Sequence, residues 1–274
     1  MFPVATWRLL IADPLAGDGA TNMAVDEAIL EGVAAGTSPP TLRFYAWQPP
    51  CVSVGYAQSL PEVVDLDACR RDGVTWVRRP TGGRAILHVD ELTYSVTVPA
   101  LEARVRGGVV ESYRRLSGGL LAGLRHLGLE AVQAEAMEGK MADASAACFD
   151  VPSHYEITAR GKKLIGSAQV RRQRAVLQHG ALPLCGDVAR LAGYLRLLDD
   201  ERLALGAELR RRAITLEEVL GHVPSPGEVV QALAQGFAQA LNLRLEPGGL
   251  TPEEGRLARQ LREKKYADGG WNLR

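Results

Sequence analysis

Cys148 and Lys163, fifteen residues apart, are the pair whose types and spacing could do covalent chemistry. Cys148 stands in ASAACFDVPSHYEI, after a run of small residues and before a segment with strand character. Lys163 stands in GKKLIGSAQ, where Arg160-Gly161-Lys162 reads as a hairpin turn and Lys163 follows on the outgoing strand. A return of that length could bring the ammonium to the thiol. An unperturbed cysteine of pKa about 8.5 is only about 3% thiolate at neutral pH, and a nearby ammonium raises that fraction severalfold or more. A small cysteine that fills space is the competing reading, and spacing alone leaves both open. The chain holds 27 arginines and five lysines, Lys140, Lys162, Lys163, Lys264 and Lys265. Where basic sites are so biased toward arginine, a retained lysine hints at a need for a compact ammonium.

RRPTGGRAILH, Arg78 to His88, is the second concentration of chemistry. Gly82-Gly83 lets backbone approach a ligand and exposes N–H groups, while Arg78, Arg79 and Arg84 crowd positive charge around the turn. A plain glycine turn with solvated arginines remains open on this stretch alone. The spacing is neither that of a P-loop nor that of a Rossmann turn, which argues against nucleotide binding of those types. His88, and His179 in LQHGALP, read as core or hydrogen-bonded histidines when taken singly. His126 and His222 lie beside helix ends. No H-x-x-x-H or H-E-x-x-H pattern supports a metal site. Ser117 and Ser167 sit near glycines without forming a G-x-S-x-G elbow. The carboxylate groups Asp90-Glu91 and Asp199-Asp200-Glu201 read as solvated charge.

Bulk properties narrow the class. At 274 residues, 46% apolar and 23% charged, with 32 basic and 32 acidic residues, the chain is an ordinary globular composition without a broad basic field. This argues against nucleic-acid or membrane-surface partners. Cys51, Cys69, Cys148 and Cys185 form no C-x-x-C pair and suit a reducing cytosol. No basic-plus-apolar leader and no apolar run near the roughly 18 residues of a membrane span are present. The expectation is a cytoplasmic monomer without a metal or other cofactor.

The elements that would position these residues follow from periodicity and punctuation. TNMAVDEAILEGVAAG reads as a helix capped by Thr21 or Asn22 and closed by Gly36. TLRFYAW and CVSVGY read as a hairpin-like strand pair about Pro49-Pro50, and VTWVRRP, LTYSVTVP, LEAVQ and RAVLQHGALPL as further strands. DLDACRRDG reads as a short helix, VVESYRRLSGGLLAGLRHLG as a long one closed by Gly128. SPGEVVQALAQGFAQALN reads as a helix with Ser225 as cap and Pro226 at its first position. Residues 134–150 fit no regular element and read as a functional or mobile loop. The order predicts an α/β (α+β) fold: a mixed, largely antiparallel sheet with flanking helices, one domain over 1–274 with its core at about 20–248 and a helical C-terminal tail.

Taken together, NMAVDEAIL, LRFYAWQPPCVSVGYAQ, RRPTGGRAILH, ACFDVPSHYEI, GKKLIGSAQVRR and LQHGALPL resemble, in order, the lipoate–protein ligase and octanoyltransferase superfamily, whose fold is shared with biotin ligases. The likeness is closest to the LipM-type octanoyltransferases of Gram-positive bacteria, and the ending KKYADGGWN shares it. The resemblance implies a transfer of octanoyl from octanoyl-acyl carrier protein to a lysine of a lipoyl domain such as the glycine-cleavage H protein. It implies that Cys148 carries the acyl chain as a thioester, and that Lys163 lowers the thiol's pKa and binds the acyl carbonyl. It makes Arg78, Thr81, Gly82, Gly83, Arg84 and His88 the wall of the acyl pocket, with Gly166, Ser167, Ala168, His179 and Gly180 as further substrate-binding positions. Val54, Ile86 and Leu164–Gly166 are candidate walls and equally ordinary strand core. ATP-dependent ligases typically lack the cysteine and often carry an added C-terminal domain. The other octanoyltransferase class places its cysteine downstream of the lysine, where Cys185 has no motif around it. An amidotransferase using octanoyl-H protein as donor, an ATP-dependent ligase and a non-enzymatic acyl-binding module are the alternatives.

Overall fold

β-Branched and aromatic runs of the sequence become strands of two sheets. The computed structural model describes residues 2–133, 156–172 and 174–274. In chain order the elements are β1 (Ala5–Gly17), α1 (Gly19–Ala35), β2 (Thr41–Trp47), β3 (Cys51–Val54), α2 (Leu60–Val63), α3 (Leu66–Arg71), β4 (Thr75–Arg78), β5 (Ile86–His88), β6 (Glu91–Pro99), α4 (Val109–His126) and β7 (Val132–Gln133). Then come β8 (Ile157–Ala159), β9 (Lys162–Arg172), β10 (Ala175–Pro183), a 3-10 turn (Val188–Tyr194), α5 (Asp199–Arg212), α6 (Leu216–Leu220), α7 (Pro226–Leu241), β11 (Leu243–Pro247), α8 (Pro252–Leu261), a π-helical turn (Arg262–Tyr266) and α9 (Gly269–Asn272). The large sheet has the order β11-β1-β2-β6-β10-β9-β8-β7, and the small one β4-β3-β5. β1 pairs in parallel with both β11 and β2, and the remaining pairs of the large sheet are antiparallel. The expected mixed, largely antiparallel sheet with flanking helices is what forms.

One face of the large sheet carries α4 and α7. Leu92, Tyr94, Val96 and Val98 alternate along β6 to meet Leu116, Leu120 and Leu124 of α4 and Val229, Leu233 and Phe237 of α7. The two helices touch backbone to backbone, since a Cβ on Gly236 would lie 2.1 Å from the Gly123 nitrogen. Ser225 caps α7 by accepting from Glu228 N, and Pro226 takes its first position, as the sequence predicts. The other face carries α1 and, toward β10's C-terminal end, the small sheet, whose Val52, Val54 and Ile86 pack with Ala181.

Three local expectations are corrected. β2 and β3 do not form a hairpin: Pro49-Pro50 carries the chain from one sheet to the other, because nearly all of β2 is buried and draws its partners from β1 and β6. α1 is capped by Asp18, whose carboxylate accepts from Thr21 N at 2.6 Å, not by Thr21 or Asn22. The hairpin turn is the two residues Arg160 (φ 50°) and Gly161 (φ 74°), both left-handed as a two-residue hairpin turn requires, so Lys162 already belongs to β9, opposite Ala159. No helix among the described residues is long and apolar enough to cross a membrane.

Candidate active site

The glycine loop is built by the side chain of a single arginine. Arg79, at the end of β4, turns back so that its guanidinium donates to the carbonyls of Gly82 (2.9 Å) and Arg84 (2.8 Å) and to the carbonyl and Oγ of Ser53 (both 3.1 Å). Residues 79–84 are thereby curled over β3. Gly83, at φ 93°, occupies a left-handed conformation, whereas a Cβ on Gly82 would meet open space.

Thr81 ties this loop to the large sheet. Its Oγ1 lies 2.7 Å from Nε2 of His179 on β10, and Nδ1 of His179 faces Oδ2 of Asp26 on α1 at 3.3 Å. Asp26 is wholly buried and also accepts from Arg43 (2.7 Å), Tyr45 (2.8 Å) and Ser95 (2.9 Å). Burial pushes its carboxyl up, but the Arg43 guanidinium, His179 and Tyr45 more than offset this and hold it below the usual aspartate range. A carboxylate on Nδ1 assigns the Nε2 lone pair to the Thr81 hydroxyl. The arrangement is Thr–His–Asp in order, yet Thr81 is wholly buried, so its hydroxyl anchors the loop.

β9 and β10 bring the remaining candidates alongside. Ala168 is opposite His179, Ser167 opposite Gly180, and Gly166 opposite Ala181. Ser167 Oγ contacts the Tyr94 hydroxyl at 2.7 Å, and its carbonyl accepts from Tyr113 at 2.8 Å. Gly180 is required here, because a Cβ would lie 2.5 Å from Ser167 Oγ and 2.6 Å from the Tyr94 ring.

Lys163 is three residues before Gly166, about 10 Å along β9. It is buried and ion-paired with Glu156, itself buried just ahead of β8. Its carbonyl accepts from Ile214 N at 3.0 Å. Cys148 lies outside the described residues, as do residues 134–150.

His88 is buried rather than open to a ligand cleft. Its ring stacks on Trp47 (centroids 3.8 Å apart, 12° between planes), Nε2 contacts Ser53 Oγ at 2.8 Å, and Nδ1 faces Glu91 Oε2 at 3.5 Å. Burial lowers its pKa, an effect that Glu91 only partly offsets. Glu91 was expected to be solvated charge; the structure buries it beside Thr93 and His88. Arg78 is also buried, and its guanidinium donates to backbone carbonyls of the 55–58 loop and of residues 271–274. Val54, Ile86 and Leu164 all lie in the packed core.

The structure therefore joins Thr81, the glycine loop, His179, Gly180 and Gly166–Ala168 in one region and sets His88 and Arg78 behind it as supports. Sequence reasoning missed Asp26, Arg43, Ser95 and Glu156. Only an acidic pair within an otherwise apolar helix, and a lone glutamate across a hairpin from a lysine, could have signalled them.

Residues 18–238 match the family model "Lipoyl protein ligase A/B catalytic domain". The chain is 47% identical over 274 residues to octanoyltransferase LipM of Kyrpidia tusciae (98% of this chain and 99% of that one), and 45% identical over 272 residues to octanoyltransferase LipM of Moorella thermoacetica (98% of each). Among solved structures it is similar to a bi-partite lipoate protein ligase from Thermoplasma acidophilum, described with its E2 lipoyl domain. That match has a TM-score of 0.82 and 28% identity, and covers 98% of this chain and 96% of that one. A lipoate-protein ligase A bound with ATP gives a TM-score of 0.81 at 29% identity, covering 98% and 99%.

Proposed function

The chain belongs to the lipoyl protein ligase A/B catalytic-domain family, and from that premise we propose that it is an octanoyltransferase that moves an octanoyl group to a lysine of a lipoyl domain. The observation that carries this reading is the near-full-length identity to octanoyltransferases, at 47%; Cys148 and Lys163 are the pair proposed to do the acyl-enzyme chemistry.

Octanoyl-acyl carrier protein is the proposed donor. The Cys148 thiolate attacks the thioester carbonyl, the carrier's thiolate leaves and takes up a proton, and an octanoyl-enzyme thioester remains. The free amine of the acceptor lysine, such as that of a glycine-cleavage H protein, then attacks that thioester, forming an amide, losing a proton to solvent and releasing the Cys148 thiolate. The first step exchanges like for like, and the second runs downhill without ATP.

Lys163 is the group proposed to orient the acyl carbonyl. It is ion-paired with Glu156, and its N–H groups are the donors proposed for the developing oxyanion. The glycine loop, with Gly82 open and its carbonyls drawn back by Arg79, presents backbone to the acyl group. Arg84, Ser167 and Ala168 complete the proposed substrate-facing set.

The assay is octanoyl transfer to purified lipoyl-domain protein without ATP, with octanoyl-acyl carrier protein and octanoyl-H protein as alternative donors. Transfer from the carrier supports this reading. Transfer from octanoyl-H protein alone makes the chain an amidotransferase, and a strict ATP requirement makes it a ligase.

A further inference from the structure

We propose that the C-terminal segment Gly269–Arg274 is a positioning element for the glycine loop, acting through Arg78. Arg78 is 1% exposed, and its donors divide between two pieces of chain. On one side Nε donates to Trp271 O (3.0 Å), and Nη2 to Asn272 O (3.1 Å) and Arg274 O. On the other side Nη1 gathers the carbonyls of Gly55 (3.2 Å), Tyr56 (3.0 Å) and Gln58. The backbone of Arg78 repeats the link: its N–H donates to Asn272 Oδ1 at 2.8 Å, and its carbonyl accepts from Trp271 Nε1 at 2.9 Å.

The 55–58 loop is in turn stacked on the glycine loop. Tyr56 N donates to Thr81 O at 2.8 Å, and a Cβ on Gly55 would lie 2.0 Å from Gly83 O, so the two backbones are in direct contact. The planar guanidinium fork suits this gathering of carbonyls from two segments, a geometry a lysine cannot supply. The tail is held at its other end: the Tyr266 hydroxyl donates to Glu27 of α1 at 2.6 Å, and Asn272 Nδ2 donates to Tyr266 O at 2.7 Å. A path of direct contacts therefore runs from α1 through the tail and Arg78 to Thr81 and Gly83.

The functional consequence rests on the reading of the glycine loop as part of the acyl site, so loop order and acyl transfer are measured separately. The full-length double variant Trp271→Ala/Asn272→Ala is compared with the parent by hydrogen exchange of peptides covering 79–86, 266–274 and β6, and by the rate of acyl transfer over a range of donor concentrations. Arg274→Ala, whose exposed side chain covers Trp271 and Tyr56, serves if the double variant does not fold. The expected result is freer exchange of the tail together with about tenfold faster exchange in 79–86 and unchanged β6, since loops open locally without the core. Acyl transfer then slows about tenfold in its maximal rate, with donor half-saturation little changed. Faster loop exchange with undiminished transfer keeps the coupling and removes the loop from the acyl site. A tail that exchanges freely while 79–86 does not change overturns the inference, whatever the transfer rate.

Discussion

Thr81 Oγ1 and His179 Nε2 lie 2.7 Å apart across 98 residues of chain. This one contact joins the glycine loop of the small sheet to the central strand β10 of the large one, with Asp26 fixing the histidine from behind. Thr81→Val removes the hydroxyl and leaves a buried imidazole nitrogen unpaired, a loss of about 1–3 kcal/mol. Urea denaturation will show the midpoint of Thr81→Val lowered by that amount and Thr81→Ser close to the parent. Acyl transfer will fall in the valine variant and be kept in the serine one.

The buried Lys163–Glu156 pair makes a sharper demand. Truncating one partner of a buried ion pair costs about 3–5 kcal/mol, whereas replacing both with apolar groups of similar volume is often neutral. Glu156→Leu and Lys163→Met singly will each destabilise by about that much, and the double variant will recover most of the loss. Acyl transfer will not recover with it if Lys163 has the proposed chemical role, which packing cannot replace.

The pH dependence of stability has two separate windows. His88 has its pKa lowered from 6.5 chiefly by burial, so below that pH the unfolded chain binds a proton that the folded one does not. Stability must therefore fall as pH drops from about 7 through the folded-state value, by at most about 1.4 kcal/mol per unit. His88→Gln will flatten this limb. Asp26, also held low, contributes stability that is complete above about pH 4 and is lost below it. Asp26→Asn will therefore be destabilised near neutrality, and its deficit will shrink in acid.

Burial pushes the Cys51 thiol up to about 12 and, with help from Asp65 and Asp72, the Cys69 thiol up to about 11. Neither supplies thiolate at pH 7.5. Iodoacetamide on the native protein will therefore leave Cys51 and Cys69 untouched until the chain unfolds, as peptide mapping will show.

Local punctuation was legible where it acts locally. Ser225-Pro226 announced α7, Gly36 closed α1, and Arg160-Gly161 placed the turn to within a residue. The partnership of β2 with β1 and β6 was not, because a buried strand reads the same whichever strands it joins. Glu91 reads as solvated charge, and Asp26 and Glu156 carry no signal of their own, since their cationic or imidazole partners lie far off in sequence or across a turn. Arg78 looked like a ligand-facing residue because its motif is shared with Arg79 and Arg84. Only the fold shows that its donors are spent on the tail and on the 55–58 loop.

The proposed mechanism stands on Cys148 as the carrier of the acyl group. Intact-protein mass spectrometry after mixing the enzyme with octanoyl-acyl carrier protein, without ATP, tests it directly, with Cys148→Ala alongside. The expected result is an increment of one octanoyl group on the parent, removed by hydroxylamine and absent from the variant. A folded parent that gains no adduct, or a Cys148→Ala variant that gains the same one, would contradict it.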